Sequence, residues 1–214
     1  MLIFMSISAV SAEVNLTSEN TDIYVSNNDN PLPDNATIVF SSIKDAVESA
    51  SDNSTIIICD GTYGGVYNTG LTINKNLTIC SYSNNTVIDG EGKYQFFNVK
   101  SSSSLVLKDL KFINGFSNLN SNQAGILENY GHLTIDNVDF SKMNAFMGVI
   151  FNKGELYISD SKFSSCKAST LGQAIVNTGK CSIFDSIISK EADSKIDVSV
   201  YNGGILIVNS SNIN

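Results

Sequence analysis

From Leu105 onward, inward and outward positions alternate in a pattern that repeats about every 25 residues. Apolar pairs of the form apolar-x-apolar begin at Leu105, Leu133, Leu156, Cys181 and Leu206, and their second members are Leu107, Ile135, Ile158, Ile183 and Val208. A third position follows at Leu110, Val138, Ser161, Ser186 and Ser211, and a fourth at Phe112, Phe140, Phe163, Ile188 and Ile213. Period-2 alternation in short runs bounded by Asn, Asp, Gly and Ser predicts half-buried β-strands. Self-similarity at this period predicts a repeat architecture in which each unit buries its apolar face only by stacking on its neighbours.

A phrase Asn-x-Gly-x-apolar-x-apolar punctuates the repeat at Asn129, Asn152, Asn177 and Asn202, with steps of 23, 25 and 25 residues. Three short strands per unit are the arithmetic of a parallel β-helix with coils stacked about 4.8 Å apart. Stacking turns each aligned position into a ladder of like side chains. The four Asn residues are expected to form such a ladder, with amides hydrogen-bonded coil to coil. Their place at the turn is attributed to Asn's tolerance of the left-handed region, and the Gly two positions later to a relaxed return into the next strand.

Upstream the same reading holds more loosely. Thr55–Cys59 runs into the turn Asp60-Gly61-Thr62-Tyr63, and Leu71-Thr72-Ile73, Leu77-Thr78-Ile79 and Val87-Ile88 are further strands. Residues 42–50 are different. Ile43, Ala46, Val47 and Ala50 fall at i, i+3, i+4 and i+7 behind Ser42 and Asp45, which predicts a short capped amphipathic helix lying over the open end of the stack. The fold class expected is all-β, a right-handed single-stranded parallel β-helix of about seven coils with this N-terminal capping helix.

Met1–Ala12 is apolar and ends in Val10-Ser11-Ala12, which fits a secretory signal cut after Ala12. It lacks a positive n-region, so the start codon is expected upstream; a buried first strand is the alternative. Residues 13–36, polar and containing both prolines, are expected to be a lead-in arm, and 37–214 the β-helix domain. No later run approaches the roughly 18 apolar residues of a membrane span. The mature chain is thus expected to be exported, extracellular or at the cell surface, without a membrane span.

Net charge narrows the partners. At −8, and without a single arginine, the chain is poorly suited to nucleic acid or anionic lipid, which are bound chiefly through Lys and Arg. The four cysteines carry no CxxC or His cluster, so no metal and no cofactor is expected. Cys59 and Cys80 lie 21 residues apart, which allows a disulfide between adjacent rungs; small buried hydrophobes are the alternative for all four. Asn15, Asn35, Asn53, Asn76, Asn84 and Asn209 each begin an Asn-x-Ser/Thr sequon, so glycosylation is permitted.

Ser41–Ala50, Ile-Ile-Ile-Cys-Asp-Gly-Thr-Tyr at 56–63, Leu77-Thr78-Ile79 and Val87-Ile88-Asp89-Gly90 together resemble the start of pectin-lyase-like right-handed β-helix proteins. Asp139-Phe140 and Gly148–Asn152 resemble the repeats of polymorphic outer-membrane proteins. In combination the chain is similar, over residues 37–214, to adhesin-like surface proteins of methanogenic archaea. The resemblance implies a surface module binding glycans or proteins through its outer strand faces, and no catalytic activity is expected of it. It departs from that family in stopping at Asn214 in mid-coil, which suggests a truncated or short-form member, and in having lost the Phe at position 188.

An enzyme of this fold is the competing expectation. Asp109, Asp160 and Asp185 align directly after the inward pairs, and two carboxylates about 5 to 9 Å apart are what a glycoside hydrolase requires. The same position suits turn residues, because Asp and Asn side chains bond the local backbone, and that explanation is the stronger. Lyases of the resembling fold use Arg or Lys beside Ca²⁺-binding carboxylates, and this chain has no Arg. The related hydrolases carry Gly-His-Gly, whereas here Gly131-His132-Leu133 ends in Leu. His132 shares its column with Glu155, Lys180 and Ile205, an outward and variable position. A third reading is a structural spacer of the cell envelope.

Overall fold

The computed structural model describes residues 22–27, 32–34, 36–118, 124–192, 196 and 198–214. Met1–Ala12, expected to be an export signal, and the sequons Asn15 and Asn35 lie outside them. The described strands form three parallel sheets wound as a right-handed β-helix, with six complete coils and two strands of a seventh. Sheet A carries the first strand of each coil: Ser54–Ile58, Leu77–Ser81, Ser104–Lys108, His132–Asp136, Glu155–Ser159, Lys180–Phe184 and Ile205–Asn209. Sheet B carries the second, from Gly61–Gly64 through Lys111–Ile113, Asp139–Ala145 and Lys162–Ala168 to Asn212–Ile213. Sheet C carries the third, from Leu71–Ile73 to Val200–Asn202.

Register follows the repeat. Leu105, Leu133, Leu156, Cys181 and Leu206 pair in sequence, as do Phe112, Phe140, Phe163, Ile188 and Ile213. Because a parallel, in-register stack places like on like, the three phenylalanines form a column with ring centroids 5.1 and 4.7 Å apart and planes within 15°. All three rings are fully buried. Aromatic stacking of this kind adds about 0.5–1.5 kcal/mol per pair beyond area burial.

The helix α1, Ile43–Ser49, closes the N-terminal end. Ser42 caps it by accepting from the Asp45 backbone N–H at 3.1 Å, and Ile43, Ala46 and Val47 join the core. Its C-terminus is held by Lys75, whose Nζ donates to the carbonyls of Val47, Glu48 and Ala50 at 3.1, 3.3 and 2.7 Å. A cation on the last unsatisfied carbonyls complements the helix dipole.

The lead-in differs from its expected form. Ile23–Val25 is a buried strand of sheet A, seated between Ile38–Phe40 and Ser54–Ile58. The β-helix thus recruits residues ahead of position 37. Three apolar residues in a polar surrounding sufficed, because sheet A otherwise presented an unpaired edge at its first coil.

A second difference concerns the corner. Left-handed backbone falls at Asp109, Asn137, Asp160, Asp185 and Ser210, with φ of 58°, 52°, 49°, 47° and 50°. The Asn129, Asn152, Asn177 and Asn202 column lacks it. Its asparagines end sheet C strands, and the first three are fully buried.

Candidate functional site

The outer face of sheet A is a flat strip with three columns of outward side chains. The first runs Ser104, His132, Glu155, Lys180, Ile205; the second Val106, Thr134, Tyr157, Ser182, Ile207; the third Lys108, Asp136, Ser159, Phe184, Asn209. Alternation along each strand puts them outside, because their neighbours fill the core.

In the first column the coil spacing brings opposite charges together. Lys180 Nζ donates to Glu155 Oε1 at 2.7 Å, and His132 Nδ1 lies 3.2 Å from Glu155 Oε2. The Lys180 ammonium holds the Glu155 carboxyl below the usual carboxylate range, and the carboxylate raises Lys180 in turn. In the third column Lys108 Nζ lies 3.2 Å from Asp136 Oδ2, which raises the lysine, while Ser159 Oγ donates to Asp136 Oδ1 at 3.0 Å. Tyr157 of the second column stacks on Phe184 of the third, with centroids 5.1 Å apart at 28°. Tyr157 is 43 % exposed, and Thr134, Glu155, Tyr157, Lys180 and Ser182 border one shallow depression. An exposed ring beside a carboxylate, an ammonium and two hydroxyls offers both a stacking surface and hydrogen-bonding groups.

His132 lies at the edge of this depression, exposed, in the column expected for it. The acidic column stands elsewhere, at the corner between sheets A and B. Asp109 Oδ1 accepts from Asn137 Nδ2 at 2.7 Å, and the backbone N–H groups of Asp109, Asp160 and Asp185 donate to the carbonyls of Asp136, Phe184 and Asn209 in the next coil. These residues serve the left-handed turn. Among the described residues no group of three or more His, Cys, Asp or Glu side chains could hold a metal ion.

The Asn column is internal. Asn129 Nδ2 donates to Asn152 Oδ1 at 2.7 Å, Asn152 Nδ2 to Asn177 Oδ1 at 2.7 Å, and Asn177 Nδ2 to Asn202 Oδ1 at 2.6 Å. Each of these nitrogens also donates, at 2.9 Å, to a backbone carbonyl of the next coil, those of Glu155, Lys180 and Ile205. The glycines beside them serve close approach. A Cβ at Gly154, Gly179 or Gly204 would overlap the carbonyl of Gly131, Gly154 or Gly179 on the coil below. No left-handed φ is involved.

The proposed Cys59–Cys80 disulfide is corrected: all four cysteines are free. The step here is 23 residues, so Cys80 sits beside Ile57 on the outer side, while Cys59 lies buried beyond the strand end. Cys166 and Cys181 face the core, where burial pushes both thiols up to about 12. Of the sequons, Asn53 and Asn84 are exposed at left-handed turns and Asn209 is exposed on the last coil. Asn76 is half-buried; its Oδ1 accepts from the Ser104 N–H at 2.9 Å, and its Nδ2, the atom a glycan would take, donates to Asp52 Oδ2 at 3.3 Å.

The aromatic pair Tyr157–Phe184 escaped the sequence reading. Its signal was an outward aromatic in two successive coils, at positions offset by two in the repeat. Compared with protein-family models, with curated proteins and with solved structures, the chain matches none.

Proposed function

We propose that this chain is an adhesin-like binding module that engages glycans or surface proteins through the outer face of sheet A. The observation that carries the reading is the exposed Tyr157 ring, stacked on half-buried Phe184 and flanked by Glu155 and Lys180 on a flat strip. Aromatic rings take the apolar face of a sugar, while the charged and hydroxyl groups around them take its hydroxyls. A shallow, open depression binds weakly per contact, and strength comes from many copies displayed together. The resemblance to adhesin-like surface proteins and the apolar, cleavable Met1–Ala12 segment support a place outside the cell.

A glycan array and a whole-cell binding assay, each with wild type and Tyr157→Ala, test it. Binding by wild type that falls about tenfold in the variant is the expected result. Absence of binding in both assays would replace the reading with that of an envelope spacer. Acidic and neutral polysaccharides, with and without Ca²⁺, should be recovered intact, and turnover of any would favour the enzyme instead.

A further inference from the structure

Sheet B carries a second surface of different chemistry. Lys111, Lys142, Lys162 and Lys167 are exposed on its outer face in three successive coils, with Asp139 the one acid among them. Lys111 and Lys162 share a column two coils apart, about 10 Å, and Lys162 and Lys167 are five residues apart on one strand, about 16 Å.

These lysines differ from most others on the chain. Lys44, Lys93, Lys108 and Lys180 have carboxylate partners, Lys75 caps α1, and Lys153 lies over the rings of Tyr130 and Phe151. Among the described residues the four lysines of sheet B have no such partner. On a chain of net charge −8, four unpaired cations on one face are a concentrated exception.

Backbone geometry adds a separate observation. Asn114, Lys142 and Ser165 form a second left-handed column, with φ of 53°, 57° and 50°. The extra residue in each bulged strand sends both Ser141 and Lys142, and both Ser164 and Ser165, outward. Asn tolerates this conformation, whereas lysine is strained in it. Lysine thus occupies a position where stability alone favours the asparagine found one coil below.

We infer that this face binds a stretch of acidic polysaccharide, its carboxylate or sulfate groups on the four lysines and its hydroxyls on Ser141, Asn144, Ser164 and Ser165. The patch holds no exposed ring, so neutral sugars have nothing to stack on and single-stranded nucleic acid has no platform for its bases. Asp109, Asp160 and Asp185 border it two residues from the Lys111–Lys162 column, about 7 Å away. A duplex or an anionic bilayer, broader than the patch, would press phosphates onto those carboxylates; a single, narrower glycan chain along the Lys111–Lys162 column would meet Asp139 alone. The inference rests on the binding-module reading and assigns its ligand class on a second face.

The test uses the full chain against polygalacturonate, a sulfated glycan, neutral dextran, single-stranded DNA and phosphatidylserine vesicles, at low and high salt. The expected result is binding to the two acidic glycans that salt weakens and that the K111Q/K142Q/K162Q/K167Q variant loses by about tenfold or more, the sum of four exposed contacts. Lys142→Asn should raise the melting temperature while weakening the same binding, a combination that a merely structural lysine would not produce. Unchanged affinity in the four-glutamine variant, equal binding of dextran, or preference for DNA or vesicles would overturn the inference. If Tyr157→Ala alone abolished binding, this inference would fail and the sheet A reading would stand. If wild type bound no glycan or cell, both would fail.

Discussion

The side-chain amide of Asn152 donates to Asn177 Oδ1 at 2.7 Å, one rung of a buried chain of amides that links four coils. Each amide inside that chain gives to the coil above and receives from the coil below. The ladder therefore stabilises the stack only as a continuous set, since removing one member strands groups on both neighbours.

Asn152→Ala should cost about 3 kcal/mol or more, because it leaves Asn129 Nδ2, Asn177 Oδ1 and the Lys180 carbonyl short of partners in a dry interior. Asn202→Ala should cost about 1 kcal/mol, since Asn202 is exposed and donates only to the Gly204 carbonyl of its own coil. Thermal or denaturant unfolding of the two variants checks the contrast. Equal losses would refute the ladder.

Gly154→Ala should destabilise the stack by about 3 kcal/mol, at the upper end of overpacking costs, as the methyl must force apart the coils that meet at the Gly131 carbonyl. Gly203→Ala, one residue from a glycine of the same column, meets nothing closer than 3.8 Å and should be nearly neutral. A melt of each protein distinguishes them.

Asp160→Gly and Asp185→Gly should keep or slightly raise stability, because glycine takes φ near 50° without a Cβ penalty, while Asp160→Val should lose about 2 kcal/mol. The measurement is unfolding free energy. A strong loss in the glycine variants would show that the carboxylates do more than serve the turn.

Cys166 and Cys181 should resist alkylation in the folded chain and react on unfolding, since burial raises both thiols to about 12. Raised folded-state values mean that the native form holds these protons after the unfolded form has released them. The stabilisation is complete below the ordinary thiol value near 9 and is lost as pH rises from there towards 12. Denaturant midpoints across that range should fall in wild type and fall less in a Cys166→Ala/Cys181→Ala variant.

The repeat alone determined the winding. Leu105, Leu133 and Leu156, and Phe112, Phe140 and Phe163, announce their registers because a parallel stack places identical positions over one another, so sequence period and spatial period are the same quantity. The capping helix was legible for a similar reason, its 3.6-residue pattern breaking the strand alternation. What the glycines and asparagines of the shared phrase do was decided only in three dimensions. Seen along the chain, Asn-x-Gly looks like a turn; stacked, its Asn is an internal hydrogen-bonding column and its Gly a point of backbone contact between coils. The left-handed corner went to Asp109, Asp160 and Asp185 instead. Both candidate surfaces are likewise products of stacking. Tyr157 and Phe184 are 27 residues apart in sequence and touch because one coil lies on the next, and the four lysines of sheet B become one patch for that reason. Inward positions repeat because the core demands it, whereas outward ones are free to vary, and their chemistry emerges only once the coils lie side by side.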